Sequence, residues 1–194
     1  NADYRGASLP PGNYTATLVV ATDSFSVPIH VLPDPRIQAK ADDFAAQYAI
    51  LYGIDSCVKT MHNAVNNMRL VKTQIEQLNN NLKSKTGVDS LISAGKVLSK
   101  KIEQWEQQII TTQQETFQDV INYYNRLSAE MLDLRGRMEN AQQPEVPAGH
   151  KNRYQQLLKE WKTYEETLQA IINIDVPAFN KLYSDLKLPA VLIP

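Results

Sequence analysis

The chain carries three histidines, the side chains that most often bind metal ions or transfer protons near neutral pH. His30 falls on the opposite face of a predicted strand from Phe25 and Val27. His62 lies beside an apolar stripe of a predicted helix, and His150 lies in a predicted loop. None of them has a carboxylate or a cysteine at ligand spacing, and the motif H-E-x-x-H is absent. We therefore interpret each histidine as exposed or hydrogen-bonded, and we predict no metal site.

A catalytic nucleophile needs a neighbouring base and a group that orients that base. The single cysteine, Cys57, follows Asp55 by two residues in a predicted helix, where a carboxylate disfavours the reactive thiolate. The G-x-S-x-G elbow of serine hydrolases is also absent. We interpret Cys57 as a small packing residue, and we predict no catalytic residue in this chain.

Carboxylates stand next to each other, or one helical turn apart, for example at Asp42 and Asp43, at Glu165 and Glu166, and at Glu103 and Glu106. Di-iron helical bundles require Glu-x-x-His motifs on facing helices, and that motif does not occur here. A glycine-rich phosphate loop is also absent. We predict that these carboxylates lie on solvated faces and that the chain binds no cofactor.

Composition places the chain among ordinary globular proteins. Its 194 residues are 43% hydrophobic and 21% charged, and the formal net charge is −1. A near-zero net charge gives no general attraction to a polyanion, so we predict no nucleic-acid partner. No apolar run approaches the ~18 residues of a membrane helix, so we predict no membrane span.

The first elements to be positioned are two strands. Apolar side chains alternate with polar ones over residues 13–32, around a predicted turn at residues 21–24. Pro28 demotes its strand to an edge strand or marks a bulge. One face of this β-hairpin is apolar: Tyr14, Leu18, Val20, Phe25, Val27 and Ile29. Because an isolated hairpin is marginal in water, we expect the end of the helical part or a second copy of the chain to cover this face.

After residue 36 the apolar spacing becomes helical, with gaps of three and four residues. The first stripe comprises Phe44, Tyr48, Leu51, Ile54, Val58, Met61, Val65, Met68, Val71, Ile75, Leu78 and Leu82. The second comprises Leu91, Ala94, Leu98, Ile102, Trp105 and Ile109, and then Val120, Tyr124, Leu127, Met131, Leu134, Met138 and Ala141. The third comprises Tyr154, Leu157, Trp161, Tyr164, Leu168, Ile171, Phe179, Leu182 and Leu186. We interpret both tryptophans as core residues.

These stripes predict helices over residues 38–85, 89–141 and 150–188, with a kink or a restart at Pro177. A polar stretch at 111–116 interrupts the second stripe, and Thr116 with Asp119 resembles a capping box. The predicted fold is mainly α, a long antiparallel helical bundle preceded by an N-terminal β-hairpin. Matching helix lengths favour three rods, with the middle one intact or broken, over the alternative of a four-helix bundle with a reversal at 111–119. The predicted domains are 1–35, the hairpin, and 36–194, the helical bundle.

Three segments resemble the C-terminal region of bacterial sortilin-like, BNR-repeat proteins that carry the label glycosyl hydrolase. They read "PPGNYTATLVV…FSVPIHVLPDPRI", "AVNNMRLVKTQI" and "DVPAFNKLYSDLKLPAV". In that family a β-propeller precedes a small immunoglobulin-like segment and a helical tail. The chain departs from the family at residues 122–124, Asn-Tyr-Tyr, where the family has Asn-Tyr-Pro.

The resemblance implies that residues 1–35 are the remnant of an immunoglobulin-like β-sandwich. It also implies an exported protein and a propeller partner upstream in the same polypeptide. The family's S-x-D-x-G-x-x-W boxes lie in the propeller and are absent here, so no functional residue carries over. The function implied is a non-catalytic accessory, structural or interaction module. The alternatives are a part of a glycoside hydrolase and a coiled-coil-like adaptor or oligomerisation module, with self-association through the hairpin.

Overall fold

The computed structural model describes residues 6–189, with the side chains of Phe117 and Val120 left aside. In this range the chain is mainly helical and opens with an antiparallel β-hairpin, which confirms the predicted fold class. The elements are β1 (Gly12–Val20), β2 (Asp23–Val31), α1 (Ala41–Leu82), α2 (Asp89–Ile109), a 3-10 helix (Phe117–Ile121), α3 (Leu127–Glu139), α4 (Ala148–Ala170), a π-helical segment (Ile171–Asp175) and α5 (Val176–Asp185).

The hairpin has a two-residue turn, and its register pairs Val20 with Asp23. Only the first turn residue, Ala21, has a positive φ, of 55°, which is the pattern of a type II′ turn. The register continues unbroken past Pro28, so this proline causes no bulge. Hydrogen-bonded and non-bonded pairs alternate along an antiparallel ladder, which places Pro28 at a non-bonded pair. Its missing N–H therefore belongs to the outer edge of β2 rather than to the bonds with β1.

α1 is one helix of 42 residues, and Gly53 does not interrupt it. At its start the backbone N–H of Lys40 donates to Asp43 Oδ2 at 2.9 Å, and Asp42 and Asp43 occupy the first turn, where the helix dipole favours carboxylates. Phe44, Tyr48, Val71 and Leu78 of the predicted stripe are half-buried. The others are buried: Leu51, Ile54, Val58, Met61, Val65, Met68, Ile75 and Leu82.

The middle rod is broken between Ile109 and Leu127. Ile110 is already extended, with φ −129° and ψ 152°, because the polar residues that follow offer no side chain for burial. The predicted capping box forms, but it begins only the 3-10 helix. Tyr124 is 92% exposed, so the prediction that the stripe resumes at Tyr124 is wrong; it resumes at Leu127. Ala141 is exposed as well.

Side-chain contacts give the helix directions. Asn79 and Arg69 of α1 contact Ile92 and Glu106 of α2. Residue numbers therefore rise along α1 as they fall along α2. Asp55 and Gln47 of α1 contact Arg135 and Met138 of α3 in the same antiparallel sense. α2 and α3 each run antiparallel to the part of α1 that they contact.

α4, the π-helical segment and α5 follow one another without a non-helical residue. The predicted kink or restart at Pro177 takes the form of the π-helical segment, whose wider turn accommodates a residue that has no N–H to donate. Trp105 Nε1 donates to the carbonyl of Tyr164 at 2.8 Å. Lys101, four residues earlier in α2, forms an ion pair with Asp175, the last residue of the π-helical segment that follows α4. Residue numbers therefore fall along α2 as they rise along α4, so the two helices run antiparallel.

Two compact units divide the described residues. Unit 1 lies within Asn1–Cys57 and Met131–Gln155, and unit 2 lies within Val58–Glu130 and Gln156–Pro194. The predicted domain boundary after residue 35 is not tested by this division and stays a prediction. None of the helices in residues 6–189 has the length and apolar character needed to cross a lipid bilayer.

Candidate functional site

The environments of the three histidines differ, and His150 Nδ1 is buried without a hydrogen-bond partner among the described residues. His30 lies on the face of β2 opposite Phe25 and Val27, as predicted, and its Nδ1 is 2.6 Å from Asn13 Oδ1. His62 Nε2 is 3.3 Å from the hydroxyl oxygen of Ser128. The prediction that His150 lies in a loop is wrong, because α4 begins at Ala148, directly after Pro147. In the described part of the chain no three His, Cys, Asp or Glu side chains are grouped so as to hold a metal ion.

The carboxylates at Glu103 and Glu106 do not both lie on a solvated face, and that prediction is wrong for Glu106. Its side chain is 8% exposed, and Oε1 accepts hydrogen bonds from Arg69 Nε at 2.8 Å and Nη2 at 2.6 Å. Glu103 Oε2 lies 3.7 Å from Lys72 Nζ. Both carboxylates therefore link α1 to α2 in unit 2. Asp42, Glu165 and Glu166 are exposed, as predicted.

Cys57 and the two tryptophans occupy packing positions. Cys57 is half-buried in α1. Trp105 is 3% exposed and Trp161 is 7% exposed, which confirms their assignment to the core. Burial raises the pKa of the Tyr154 hydroxyl, and the neighbouring Cys57 adds to that shift.

The hairpin carries the apolar face that the sequence predicted, and the helices do not cover this face. One face is mostly polar: His30 bonds Asn13, and Thr17 Oγ1 lies 2.8 Å from Ser26 Oγ, but Val19 on the same face is 67% exposed. The register places the apolar residues together on the other face, with Leu18 opposite Phe25 and Tyr14 opposite Ile29. The strands therefore form a two-sided sheet whose faces differ in polarity, as predicted.

The apolar face is exposed in the single chain. Leu18 is 63% exposed, Phe25 64% and Val27 56%. The expectation that the helical bundle covers this face is wrong, and the hairpin is an ordered, solvent-exposed ribbon. The physical reason lies in the alternating pattern itself: it specifies which face is to be buried but not which element covers it.

The two ends of the hairpin are nevertheless fixed. Before β1, the backbone N–H of Ala7 donates to Asp55 Oδ2 of α1 at 2.8 Å, and the Tyr14 hydroxyl donates to the carbonyl of Pro10 at 2.6 Å. After β2, Arg36 donates to Asp34 through Nε at 3.0 Å and Nη2 at 2.6 Å, and its backbone N–H donates at 2.9 Å. The Arg36 guanidinium lowers the pKa of Asp34, and the backbone bond adds to that effect. These bonds direct the chain into and out of the sheet.

Unit 2 carries a groove between α2 and α5 that the sequence did not indicate. Its volume is about 510 Å³, and its walls include Val97, Leu98 and Phe179. The ion pair of Lys101 with Asp175 stands at one side, with 2.5 Å between Nζ and Oδ2. Asp175 is the last residue of the π-helical segment. In the sequence, only Pro177 indicates that the helix becomes irregular at this point.

The chain was compared with known proteins, and no protein-family model, no curated protein and no solved structure matches it.

Proposed function

We propose that this chain is a non-catalytic structural or interaction module whose hairpin docks onto β structure and whose helices support the hairpin. The observation that carries the proposal is the contrast between the two hairpin faces. One is mostly polar and carries cross-strand hydrogen bonds, although Val19 on it is 67% exposed, while the other exposes Leu18, Phe25 and Val27 over more than half of each side chain. Large exposed apolar patches on ordered elements are typical of interaction surfaces.

The edges of the hairpin support docking of a sheet rather than of a helix alone. Pro28 removes one N–H donor from the outer edge of β2, which blunts that edge against further strand pairing. The outer edge of β1 has no proline between Gly12 and Val20 and keeps its donors and acceptors. A neighbouring strand is therefore expected on the β1 side, with the apolar face packed on a second sheet.

The occupant we propose is the immunoglobulin-like segment of the same polypeptide, which the family resemblance places upstream together with a propeller. The fixed ends of the hairpin fit this role, because Asp55 holds the segment that leads into β1. In this account the module orients the propeller, and export of the protein follows from the same resemblance.

Amide hydrogen exchange of residues 12–31 tests the proposal. It is measured on the chain alone and on the natural polypeptide extended on its N-terminal side. We expect the strands to exchange at least about tenfold more slowly in the extended polypeptide, because covered strands open less often. A dimer of the chain alone that Phe25→Lys dissociates, measured by light scattering, would assign the face to a second copy and contradict the proposed occupant.

A further inference from the structure

A second groove in unit 2 lies between α1 and α5, and its volume is about 410 Å³. Apolar and aromatic side chains form most of its walls: Val71, Ile75 and Leu78 of α1, and Val176, Phe179 and Tyr183 of α5. The two polar residues that line it, Gln74 and Asn180, are neutral amides, so the described walls carry no charge. None of these residues belongs to the hairpin, and the groove plays no part in the proposed docking.

After α5 ends, the chain turns back beside the helix. The last helical residue is Asp185, and Lys187 has a φ of 51°, in the left-handed region that commonly ends a helix. Because helical side chains lean toward the N-terminus of their helix, the Tyr183 hydroxyl lies beside an earlier turn of α5. This hydroxyl donates to the carbonyl of Pro189 at 2.5 Å. Pro189 therefore lies beside α5, at a residue that lines the groove.

The residues that follow Pro189 are all apolar. They read Ala-Val-Leu-Ile-Pro, residues 190–194, and they lie outside the described residues. Burial of such side chains is favourable, and an uncovered apolar groove begins where Pro189 is held.

The length of residues 190–194 fits the groove. Five extended residues span about 16 Å, at about 3.3 Å per residue. The part of α5 that lines the groove, from Val176 to Tyr183, spans about 10 Å, at about 1.5 Å per residue. Residues 190–194 are therefore long enough to run the whole length of the groove.

We propose that residues 190–194 of this chain bind in the α1–α5 groove as an extended segment that runs from Tyr183 toward Val176. An uncharged segment matches uncharged walls, whereas the groove between α2 and α5 carries the ion pair of Lys101 with Asp175. The side chains of the segment offer no hydrogen bonds, but its backbone N–H and C=O groups need partners when they are buried. The amides of Gln74 and Asn180 can supply both acceptors and donors.

The helix directions identify which wall residue the segment reaches. α1 and the helix that α5 continues both run antiparallel to α2, so α5 runs in the same direction as α1. Val71 and Val176 are the first residues of their helices to line the groove. A segment that starts at Tyr183 and advances about 3.3 Å per residue comes level with them near residue 192.

Disulfide trapping in the whole chain tests the proposal. Val71→Cys is combined with Val191→Cys or with Leu192→Cys in a Cys57→Ser background, since consecutive residues of an extended segment face opposite sides. The matched control replaces Val71→Cys by Val97→Cys, which lines the α2–α5 groove and is 66% exposed. We expect at least one pair with Val71→Cys to form an intramolecular disulfide at least about tenfold faster than its Val97→Cys counterpart.

Three outcomes of this experiment would overturn the proposal. Faster trapping at position 97 would assign residues 190–194 to the other groove. Equal rates at positions 71 and 97 would show that the segment binds neither groove. Disulfides that form only between two chains would assign the α1–α5 groove to residues 190–194 of a second copy.

A pair of charged substitutions tests the same contact without a thiol. Val191→Asp with Leu192→Asp should lower the melting temperature by about 4 °C or more, because a carboxylate is disfavoured in an apolar groove. Leu32→Asp with Val97→Asp makes the same change at positions that are 71% and 66% exposed, and it should lower the melting temperature by less than about 2 °C. A fall in the first variant no larger than that in the second would overturn the proposal.

Discussion

Asp55 of α1 holds Arg135 of α3, with 2.8 Å between Oδ1 and Nε. The Arg135 side chain is 7% exposed and also lies 3.2 Å from Glu139 Oε1. The second oxygen of Asp55 accepts the hydrogen bond from the backbone of Ala7. One carboxylate therefore joins two helices of unit 1 to the segment that leads into the hairpin.

Asp55→Asn should destabilise the chain by about 2 kcal/mol, because it removes a carboxylate that faces the buried guanidinium of Arg135. Urea unfolding measures this loss. The matched control is Asp133→Asn, which removes an exposed pair with Arg137 on the same helix and should cost less than about 0.5 kcal/mol. Equal losses in the two variants would show that Asp55 is no more than a surface charge.

Gly95→Ala should destabilise unit 2. A Cβ at Gly95 would lie 2.5 Å from Asn79 Nδ2, which α1 presents to α2, and such overpacking costs about 1–3 kcal/mol. Gly136→Ala is the control: Gly136 also lies inside a helix, but nothing lies within 4 Å of its Cβ position. It should stabilise the chain by up to about 1 kcal/mol through helix propensity. Thermal unfolding of both variants checks these opposite signs, and a stabilising Gly95→Ala would contradict the close approach of the helices.

Ala21→Gly should stabilise the hairpin. Ala21 has a φ of 55°, in the left-handed region where glycine carries no Cβ penalty. We expect the free energy of local opening of β1 and β2 to rise by about 1 kcal/mol, so that their amides exchange more slowly. Thr22→Gly should not reproduce this effect, since Thr22 has no positive φ. An equal gain in both variants would contradict the type II′ turn.

The 3-10 helix should respond to acid through Asp119. The backbone N–H groups of Thr116 and Glu115 donate to this carboxylate and hold its pKa below the ordinary 3.8. Because the folded pKa is depressed, the cap is fully formed above pH 3.8 and is lost as the pH falls through the lower folded value. An NMR titration of the Asp119 carboxyl carbon should show this lower midpoint, and the chain in urea should show the ordinary one. A folded midpoint at or above 3.8 would contradict the cap.

Apolar spacing predicted most of the helical fold. Leu51, Ile102 and Leu157 are fully buried because positions three and four residues apart share one helix face. The pattern was wrong at Tyr124, where the chain had already left the helix at Ile110. It was also wrong at Leu182, which is 40% exposed, although Phe179 earlier in the same helix is buried as predicted.

The candidate surfaces were less predictable, because they depend on contacts between distant residues. Lys83 and Lys96 line one groove between α1 and α2 because these helices pack where the Asn79 side chain contacts Gly95. Neither Asn79 nor Gly95 belongs to an apolar stripe, so the apolar spacing could not indicate this contact. For the hairpin, the alternation identified the apolar face but could not identify its covering partner. A strand pattern shows which face is apolar, but it does not specify the element that packs on that face.

Thiol labelling at the two hairpin faces tests the central claim, that the apolar face is a docking surface, most directly. Phe25→Cys and Ser26→Cys are prepared separately in a Cys57→Ser background, and labelling rates are compared between the chain alone and an extended polypeptide that also carries the proposed immunoglobulin-like segment. We predict that labelling at position 25 slows at least about tenfold in the extended polypeptide, whereas labelling at position 26 does not change. Equal rates at position 25 in both polypeptides would show that the face stays open and would contradict the claim.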